Sequence, residues 1–277
     1  MIWRDGQIGA DGSLDLPRAD RLFEHGLGLF ETFRTWHGRA VLLDRHLARL
    51  RHSASALGID LAGAALPTAD DVAQLLATTA RPDALVRLTV SAGRPPDLAP
   101  AAWMTAAPLP PSPPAEGWRA VAAAWTVAPG DPHARHKTLN YWSKRLAHEQ
   151  ARADGADESI FSSSDGRIWE GSRTNLFVIR RQALLTPPRS GPIIPGIMRG
   201  LALELAGRAN LEPAEADLSD ATIAGADEVF LTNSVRGLIP LAEWQGREYR
   251  PNGAGFPRTA RLRQTILDHL TREATRP

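Results

Sequence analysis

Three segments carry side chains that could act on one cofactor. Lys137 is one of two lysines in a chain with 32 basic residues, and a desolvated lysine, unlike arginine, can lose its proton and form an imine. Glu170 supplies a carboxylate that could hold a ring nitrogen protonated. Pro195 and Gly196 precede a helix whose free backbone N–H groups could hold a phosphate. These are the groups that pyridoxal 5′-phosphate (PLP) chemistry requires.

Each of these features also has a plainer interpretation. A single lysine is usually a surface cation, and Lys144 is expected to be an exposed helix residue. Glu170 alone fits an ordinary turn equally well. Arg49 lies one helical turn after Arg45, and these arginines form a solvated face unless one of them points into a site. The segment Thr232-Asn233-Ser234 ends a predicted strand and forms either a polar turn or further phosphate donors.

Composition excludes several classes of protein. The sequence has 277 residues, of which 43% are hydrophobic, and this is enough for one large or two modest domains. It contains no cysteine, which excludes disulfides, zinc–thiolate sites and a cysteine nucleophile. The net charge of +1 gives no broad basic field, so nucleic acid is not an expected partner. No signal peptide, membrane span or metal site is predicted, and we expect a cytoplasmic protein.

A proline-rich segment divides the chain. Residues 108–117 include five prolines and cannot form a helix interior or a central strand. We therefore predict a small α+β domain over residues 1–107, a linker over 108–117 and a large cofactor-binding domain over 118–277. Many short strands with few βαβ alternations favour an α+β fold. The predicted strands are 29–36, 85–91, 119–127, 159–162, 175–179, 183–185, 228–232 and 238–241. The predicted helices are 44–57 with Asp44 as the cap, 70–79, 140–153, 196–206 and 258–272.

Six short motifs, in this order, are similar to those of a known family. They are Gly28-Leu29-Phe30-Glu31-Thr32-Phe33-Arg34, His46-Leu47-Ala48-Arg49-Leu50, Lys137-Thr138-Leu139-Asn140, Glu170-Gly171-Ser172-Arg173-Thr174-Asn175-Leu176-Phe177, Pro195-Gly196-Ile197-Met198-Arg199 and Asp227-Glu228-Val229-Phe230-Leu231-Thr232-Asn233-Ser234. On these residues the chain resembles the class IV aminotransferases, which are PLP enzymes of fold type IV. The resemblance implies the two-domain fold of D-amino acid aminotransferases, PLP as cofactor and a homodimer.

The resemblance also implies roles for individual residues. Lys137 would bind the cofactor covalently and Glu170 would bind its pyridine nitrogen. Arg49 would bind the phosphate, and Ile194 would pack against the cofactor ring. The remaining expected phosphate contacts are the backbone of Ile197 and Met198 and the segment of Asn233 and Ser234. Family members often have threonine at the position of Met198, so one side-chain contact is expected to be missing. The role of Tyr141 stays open.

The motifs favour one activity within the family. The segments 28–34, 86–93 and 232–240 most resemble sequences assigned as aminodeoxychorismate lyases, which eliminate pyruvate to give 4-aminobenzoate. The alternative is a transaminase of D-amino acids or branched-chain L-amino acids, and a non-catalytic relative or binding module is the alternative of a different class. The arginine–histidine clamp of D-amino acid aminotransferases is not evident after Gly93, where Arg94-Pro95-Pro96 stands. Four arginines are candidates for holding a substrate carboxylate: Arg34, Arg87, Arg173 and Arg236.

Overall fold

The chain forms two compact units. The computed structural model describes residues 1–10, 13–79, 81, 83–249 and 255–274. The first unit contains Met1–Pro111 together with His136–Tyr141, and the second contains Ser112–Arg135 and Trp142–Pro277. The hexapeptide that carries Lys137 therefore groups with the N-terminal unit, which no local sequence pattern indicates. The division into a small domain over 1–107, a linker over 108–117 and a large cofactor-binding domain over 118–277 stays a prediction.

The first unit is built on a six-stranded antiparallel sheet. Its strands are β1 (Ile2–Arg4), β2 (Gln7–Gly9), β3 (Gly28–Trp36), β4 (Arg39–Ala40), β5 (Ala84–Ser91) and β6 (Ala102–Pro108), and their spatial order is β2-β1-β6-β5-β3-β4. The helices are α1 (Arg21–His25), α2 (Leu43–Ala56) and α3 (Ala69–Ala77). β3 and β5 pair from Gly28 with Ser91 to Arg34 with Leu85 and form the centre of this unit.

Helical spacing of apolar residues explains the packing of α2. Leu43, Leu47, Leu50 and Ala54 recur three or four positions apart, and all of them belong to the apolar core of this unit. The prediction that Asp44 caps this helix was wrong, because the cap position is Leu42 and no side chain accepts a hydrogen bond there. Asp44 instead lies in the first turn, where its negative charge still favours the helix dipole.

The second unit is a mixed sheet with four α-helices. Its strands are β7 (Trp118–Ala122), β8 (Glu158–Ser162), β9 (Ile168–Gly171), β10 (Asn175–Arg180), β11 (Ala183–Thr186), β12 (Glu212–Glu215), β13 (Glu228–Asn233), β14 (Gly237–Trp244) and β15 (Arg247–Glu248). The helices are α4 (Trp142–Ala153), α5 (Ile197–Leu205), α6 (Asp220–Ala224) and α7 (Pro257–Ala274), with a 3₁₀ turn at Ala206–Ala209.

Six of these strands close into a barrel. The order β10-β13-β14-β7-β8-β9 returns to its start because Glu170 of β9 pairs with Asn175 of β10. β7 runs parallel to both β14 and β8, and the other barrel contacts are antiparallel. Alternate residues of the strands, such as Leu176 and Val178, belong to one apolar core. Glu170 thus lies where the barrel closes.

The α+β prediction is confirmed by these sheets and helices. Most predicted elements are present within two residues at each end, but β7 ends at Ala122 instead of Val127. The strand-like residues 167–169 correspond to β9, whereas sequence patterns missed the strands β1, β2, β4, β6, β12 and β15 and the short helices α1 and α6. β6 ends within the proline-rich run, and β12 is fully exposed, so neither shows a clear alternation of apolar residues. No helix among the described residues is long and apolar enough to cross a membrane.

Candidate active site

Strand β3 holds the segment that carries Lys137. The backbone N–H of Phe30 donates to the carbonyl of Lys137 at 2.9 Å, and the N–H of Leu139 donates to the carbonyl of Gly28 at 3.0 Å. A Cβ at Gly28 would lie 2.6 Å from both Leu139 Cδ1 and the carbonyl oxygen of Val90. Only glycine therefore lets this segment approach the strand so closely. His136 Nδ1 lies 3.0 Å from Ser53 Oγ of α2 and anchors the start of the segment.

An aromatic and cationic cluster surrounds the amine of Lys137. Lys137 Nζ lies 4.2 Å from the centre of the Phe30 ring and 5.1 Å from that of Tyr141. These two rings meet edge to face at 5.1 Å. The guanidinium carbon of Arg87 lies 3.8 Å from the same Phe30 ring. Lys137 and Arg87 therefore share the ring of Phe30 as an aromatic neighbour.

Arg87 is a half-buried cation without a carboxylate partner among the described residues. It projects from β5, where it pairs with Thr32 of β3. Burial lowers the pKa of its guanidinium, although the nearby phenol of Tyr141 acts in the opposite direction. Because a structural arginine at this depth usually pairs with an acid, Arg87 is suited to receive a carboxylate from a bound molecule.

A buried ion network lies beside this cluster. Glu31 is 1% exposed, and its carboxylate accepts from Arg49 Nε at 2.8 Å and from Arg49 Nη2 at 2.5 Å. His46 Nδ1 lies 2.7 Å from the same carboxylate. The Arg49 side chain is 10% exposed, so it does not belong to a solvated helix face. Its described partner is Glu31, and its contact with a phosphate stays a prediction.

The network fixes the charges of its members. Burial alone would raise the pKa of Glu31, but the charge and hydrogen bonds of Arg49 and the contact with His46 outweigh it and lower that pKa to about 2. Burial lowers the pKa of His46 despite its contact with Glu31. His46 is therefore neutral near pH 7, and the contact with Glu31 assigns the proton to Nδ1. The charge of Lys137 also acts on His46.

Glu170 is held by three donors within the second unit. Its side chain is 4% exposed. Oε2 accepts from Asn175 Nδ2 and from the backbone N–H of Ile194, both at 3.0 Å. Oε1 accepts from Lys144 Nζ of α4. Asn175 Nδ2 also donates to the carbonyl of Ile194 at 2.9 Å, which ties β10 to the loop before α5. Glu170 is a buried, oriented carboxylate and not the ordinary turn residue of the plainer interpretation.

The expected exposure of Lys144 was wrong. Its side chain is 16% exposed and pairs with Glu170. The spacing of apolar residues along 140–153 could not show this, because α4 begins at Trp142 and buries few large apolar residues. The partner of Lys144 is Glu170, which lies on strand β9, 26 residues further along the chain. A local sequence pattern does not reveal such a contact.

The predicted phosphate-binding groups lie at the start of α5 and at the end of β13. Gly196 precedes α5, which has no side-chain cap, so its first N–H groups suit an anion. A Cβ at Gly196 would lie 1.9 Å from Asn175 Oδ1, so glycine is required there. Asn175 pairs with Thr232 of β13, which is followed directly by Asn233 and Ser234. The side chains of Ile197 and Met198 are buried, as is that of Ile194.

Asn233 has a turn-forming role in the structure. Its Oδ1 accepts from the backbone N–H groups of Val235 and Arg236 at 3.1 and 2.8 Å. This Asx turn uses the side-chain oxygen, so a contact of Asn233 with phosphate would come from its amide or its backbone. Ser234 makes no hydrogen bond to the other described residues through its hydroxyl.

The other candidate arginines differ from Arg87. Arg34 stacks over Trp36 at 5.2 Å and donates to the carbonyl of Thr35. Arg173 and Arg236 both lie 5.3 Å from the ring of Trp118. Burial, and then the charge of Arg173, lower the pKa of Arg236. These three arginines lie near the rings of Trp36 and Trp118, and not near those of Phe30 and Tyr141 next to Lys137.

Sequence reasoning missed five side chains that contact the candidate residues. They are Phe30, Glu31, His46, Lys144 and Asn175. A signal was available for Glu31, because a carboxylate in the apolar strand 28–33 needs a cationic partner to be buried. Asn175 opens a strand five residues after Glu170. The sequence contains no comparable signal for Phe30 or Lys144.

Comparison with known proteins identifies the family. The family model for amino-transferase class IV matches residues 28–244. The chain belongs to the class IV aminotransferases. It is therefore an enzyme of the family that uses PLP. The recognition from six short motifs is confirmed.

Relatives of this aminotransferase-family chain have different activities. A putative branched-chain-amino-acid aminotransferase of Methanocaldococcus jannaschii is 31% identical over 264 residues, which is 91% of each chain. An aminodeoxychorismate lyase of Bacillus subtilis is 27% identical over 259 residues, 90% of this chain and 88% of that protein. A hypothetical aminotransferase from Mycobacterium tuberculosis, solved in a PLP-bound form, has 26% identity, a TM-score of 0.84 and 99% coverage of both chains. The type IV fold is thereby confirmed.

The residues present fit the cofactor. A lysine held by a strand, a buried carboxylate and an uncapped helix start match its aldehyde, its ring nitrogen and its phosphate. The uncapped start of α5 has no acidic residue in its first turn that would repel an anion. The relatives include transaminases and a lyase. The comparisons therefore identify the family and do not select one reaction.

Proposed function

We propose that this protein is an aminodeoxychorismate lyase that releases pyruvate and 4-aminobenzoate. The observation that carries the proposal is the position of the lyase-like segments. Segments 28–34 and 86–93 lie on β3 and β5, which are paired neighbours, and β3 holds the backbone of Lys137. Two of the three segments that resemble lyases therefore border the candidate catalytic amine, where differences in substrate are recognised.

The cofactor-binding roles follow the donor sets of each unit. Lys137 Nζ is the attachment point, and Glu170 accepts a hydrogen bond from the ring nitrogen. The phosphate is bound by the N–H groups of Ile197 and Met198 and by the segment of Asn233 and Ser234. Arg49 contributes charge to the phosphate, and Glu31 orients Arg49 through two hydrogen bonds. The side chain of Ile194 packs against the ring. PLP, when bound, stabilises negative charge that develops on the substrate carbon bearing the amine.

Arg87 is our candidate for binding the substrate carboxylate. It is half-buried, has no acid partner among the described residues and shares the Phe30 ring with Lys137. A carboxylate at Arg87 would form a charge-assisted hydrogen bond and would place the substrate amine near Lys137. Arg34, Arg173 and Arg236 are less favoured because their aromatic neighbours are Trp36 and Trp118.

Lys137 moves the proton in the proposed reaction. With the cofactor and substrate bound, the free amine of Lys137 would remove the proton from the carbon that bears the substrate amine. Loss of pyruvate then leaves an aromatic ring, which favours elimination over return of the proton. The rings of Phe30 and Tyr141 lie beside this amine and give it an apolar neighbourhood on that side.

A transaminase is the second candidate. The relative with 31% identity over 91% of the chain is a putative branched-chain-amino-acid aminotransferase, and this favours amino group transfer. The two reactions share the removal of the first proton and differ afterwards: a transaminase needs a keto acid acceptor, while the lyase does not. In both cases we infer a homodimer that acts in the cytoplasm, and these inferences rest on the resemblance to the family.

One experiment separates the candidates and tests Arg87. Purified protein is incubated with aminodeoxychorismate alone, and with D- or L-amino acids plus 2-oxoglutarate, and each product is measured by chromatography. We expect 4-aminobenzoate and pyruvate in equal amounts without an acceptor. Arg87→Ala should raise KM more than Arg94→Ala, which removes an exposed arginine of the same unit. Formation of glutamate with no 4-aminobenzoate would replace the lyase by the transaminase.

A further inference from the structure

The pairing of Lys144 with Glu170 gives Lys144 a role that none of the motifs suggested. Lys144 lies in the first turn of α4, and its amine reaches Oε1 of Glu170 on β9. Lys144 and Lys137 are the only lysines of the chain. A lysine whose side chain is 16% exposed has lost most of its hydration, and the contact with a carboxylate compensates for this loss.

The three donors at Glu170 are not equivalent. Asn175 Nδ2 and the N–H of Ile194 are neutral groups that fix the orientation of Oε2. Of these three donors, Lys144 alone carries a charge, and it approaches the other oxygen, Oε1. A cation in contact with a buried carboxylate favours the ionised form far more than neutral hydrogen bonds do.

We propose that Lys144 is a positioning residue that keeps Glu170 ionised, so that a proton shared with the cofactor stays on the ring nitrogen. This inference rests on the proposed role of Glu170. When a carboxylate and a pyridine nitrogen share one proton, the proton lies on either group. The amine of Lys144 is in direct contact with the carboxylate of Glu170. Its charge therefore stabilises the carboxylate more than it destabilises the protonated ring.

Loss of this charge would change the electronic state of the ring without removing any group that touches the substrate. In Lys144→Met the side chain keeps its length and its apolar stem but loses the charge. The proton would then move toward Glu170, and the ring would withdraw electrons less strongly. Lys144→Arg keeps the charge and is the matched control. Lys144→Gln is a second neutral variant, in case the methionine variant does not fold.

The test uses two measurements on each protein. In the apoprotein, ¹³C NMR of the Glu170 carboxyl, assigned with Glu170→Gln, gives the pH at which this carboxyl takes up a proton. We expect that pH to rise by about 1–3 units in the neutral variants and to stay near the wild-type value in Lys144→Arg. In protein reconstituted with ¹⁵N-labelled PLP, the ring-nitrogen signal should move toward the unprotonated position only in the neutral variants.

The outcomes separate this inference from the proposed function. Unchanged carboxyl titration in the neutral variants would overturn the role of Lys144, whatever the cofactor does. A changed titration with an unchanged ¹⁵N signal would overturn the control over the ring proton. If the ring-nitrogen ¹⁵N signal of the Glu170→Gln variant equals that of the wild type, Glu170 does not bind the ring nitrogen. The proposed cofactor geometry itself then fails. If the role of Lys144 is purely structural, all three variants should be less stable than the wild type. The neutral variants should then not differ from Lys144→Arg in the carboxyl titration or in the ¹⁵N signal.

Discussion

Replacement of Glu31 by glutamine should destabilise the protein by an amount that depends on pH. The carboxylate is 1% exposed and is held by Arg49 and His46 at 2.5–2.8 Å. Its pKa falls from 4.5 to about 2. At 1.36 kcal/mol per pH unit, this shift corresponds to about 3 kcal/mol of folding free energy at pH 7. A loss of similar size, about 3–5 kcal/mol, is expected when one partner of a buried ion pair is removed.

The direction of the pH dependence follows from the lowered pKa. A carboxylate with a lower pKa in the folded state stabilises the fold above its unfolded pKa, and this stabilisation is lost as the pH falls toward the folded value. The difference between wild type and Glu31→Gln should therefore shrink from about 3 kcal/mol at pH 7 to about 1.5 kcal/mol near pH 3. Urea denaturation, followed by circular dichroism at both pH values, measures this difference.

An exposed glutamate supplies the control. Glu24 lies 3.9 Å from His25, and its side chain is 62% exposed, so Glu24→Gln should change the unfolding free energy by less than about 0.5 kcal/mol. If Glu31→Gln behaves like Glu24→Gln, the buried network does not stabilise the first unit. If its effect is large but equal at both pH values, packing and not ionisation explains it.

Two further predictions concern cofactor binding and turnover. Arg49→Ala should weaken PLP binding by about 1.5–3 kcal/mol, roughly tenfold to a hundredfold in Kd, in a titration of apoprotein, whereas Arg51→Ala on the exposed side of the same helix should not; equal Kd values would remove Arg49 from the phosphate site. Glu170→Gln should slow removal of the substrate proton about a hundredfold, or about 3 kcal/mol of barrier, in rapid-mixing experiments, with Glu149→Gln as the exposed control; a wild-type rate would show that Glu170 only stabilises the barrel closure.

The sequence singles out those parts of the candidate site that have a local signature. Lys137 stands out because lysine is rare in this chain, and Glu170 because it opens a motif. The uncapped start of α5 follows from its prolines and from Gly196. These signals concern residue type and short spacing, which a single sequence displays directly.

The remaining parts depend on contacts between distant segments. Lys144 and Glu170 are far apart in sequence, and only the packing of α4 against β8 and β9 brings them together. Arg87 could not be separated from Arg34 before the structure placed it over the ring of Phe30. Likewise, the pairing of the Lys137 segment with β3 is a long-range contact. Local patterns carry no record of such partners.

The identity of the lysine that binds PLP tests the account most directly. The holoenzyme is reduced with borohydride, digested, and mapped by mass spectrometry for the phosphopyridoxyl group. The chain contains only two lysines, so the label can be on Lys137, on Lys144, on both or on neither. We expect the label on Lys137, and its loss together with turnover in Lys137→Ala. A label on Lys144, or full turnover by Lys137→Ala, would contradict the assignment on which the proposed function is built.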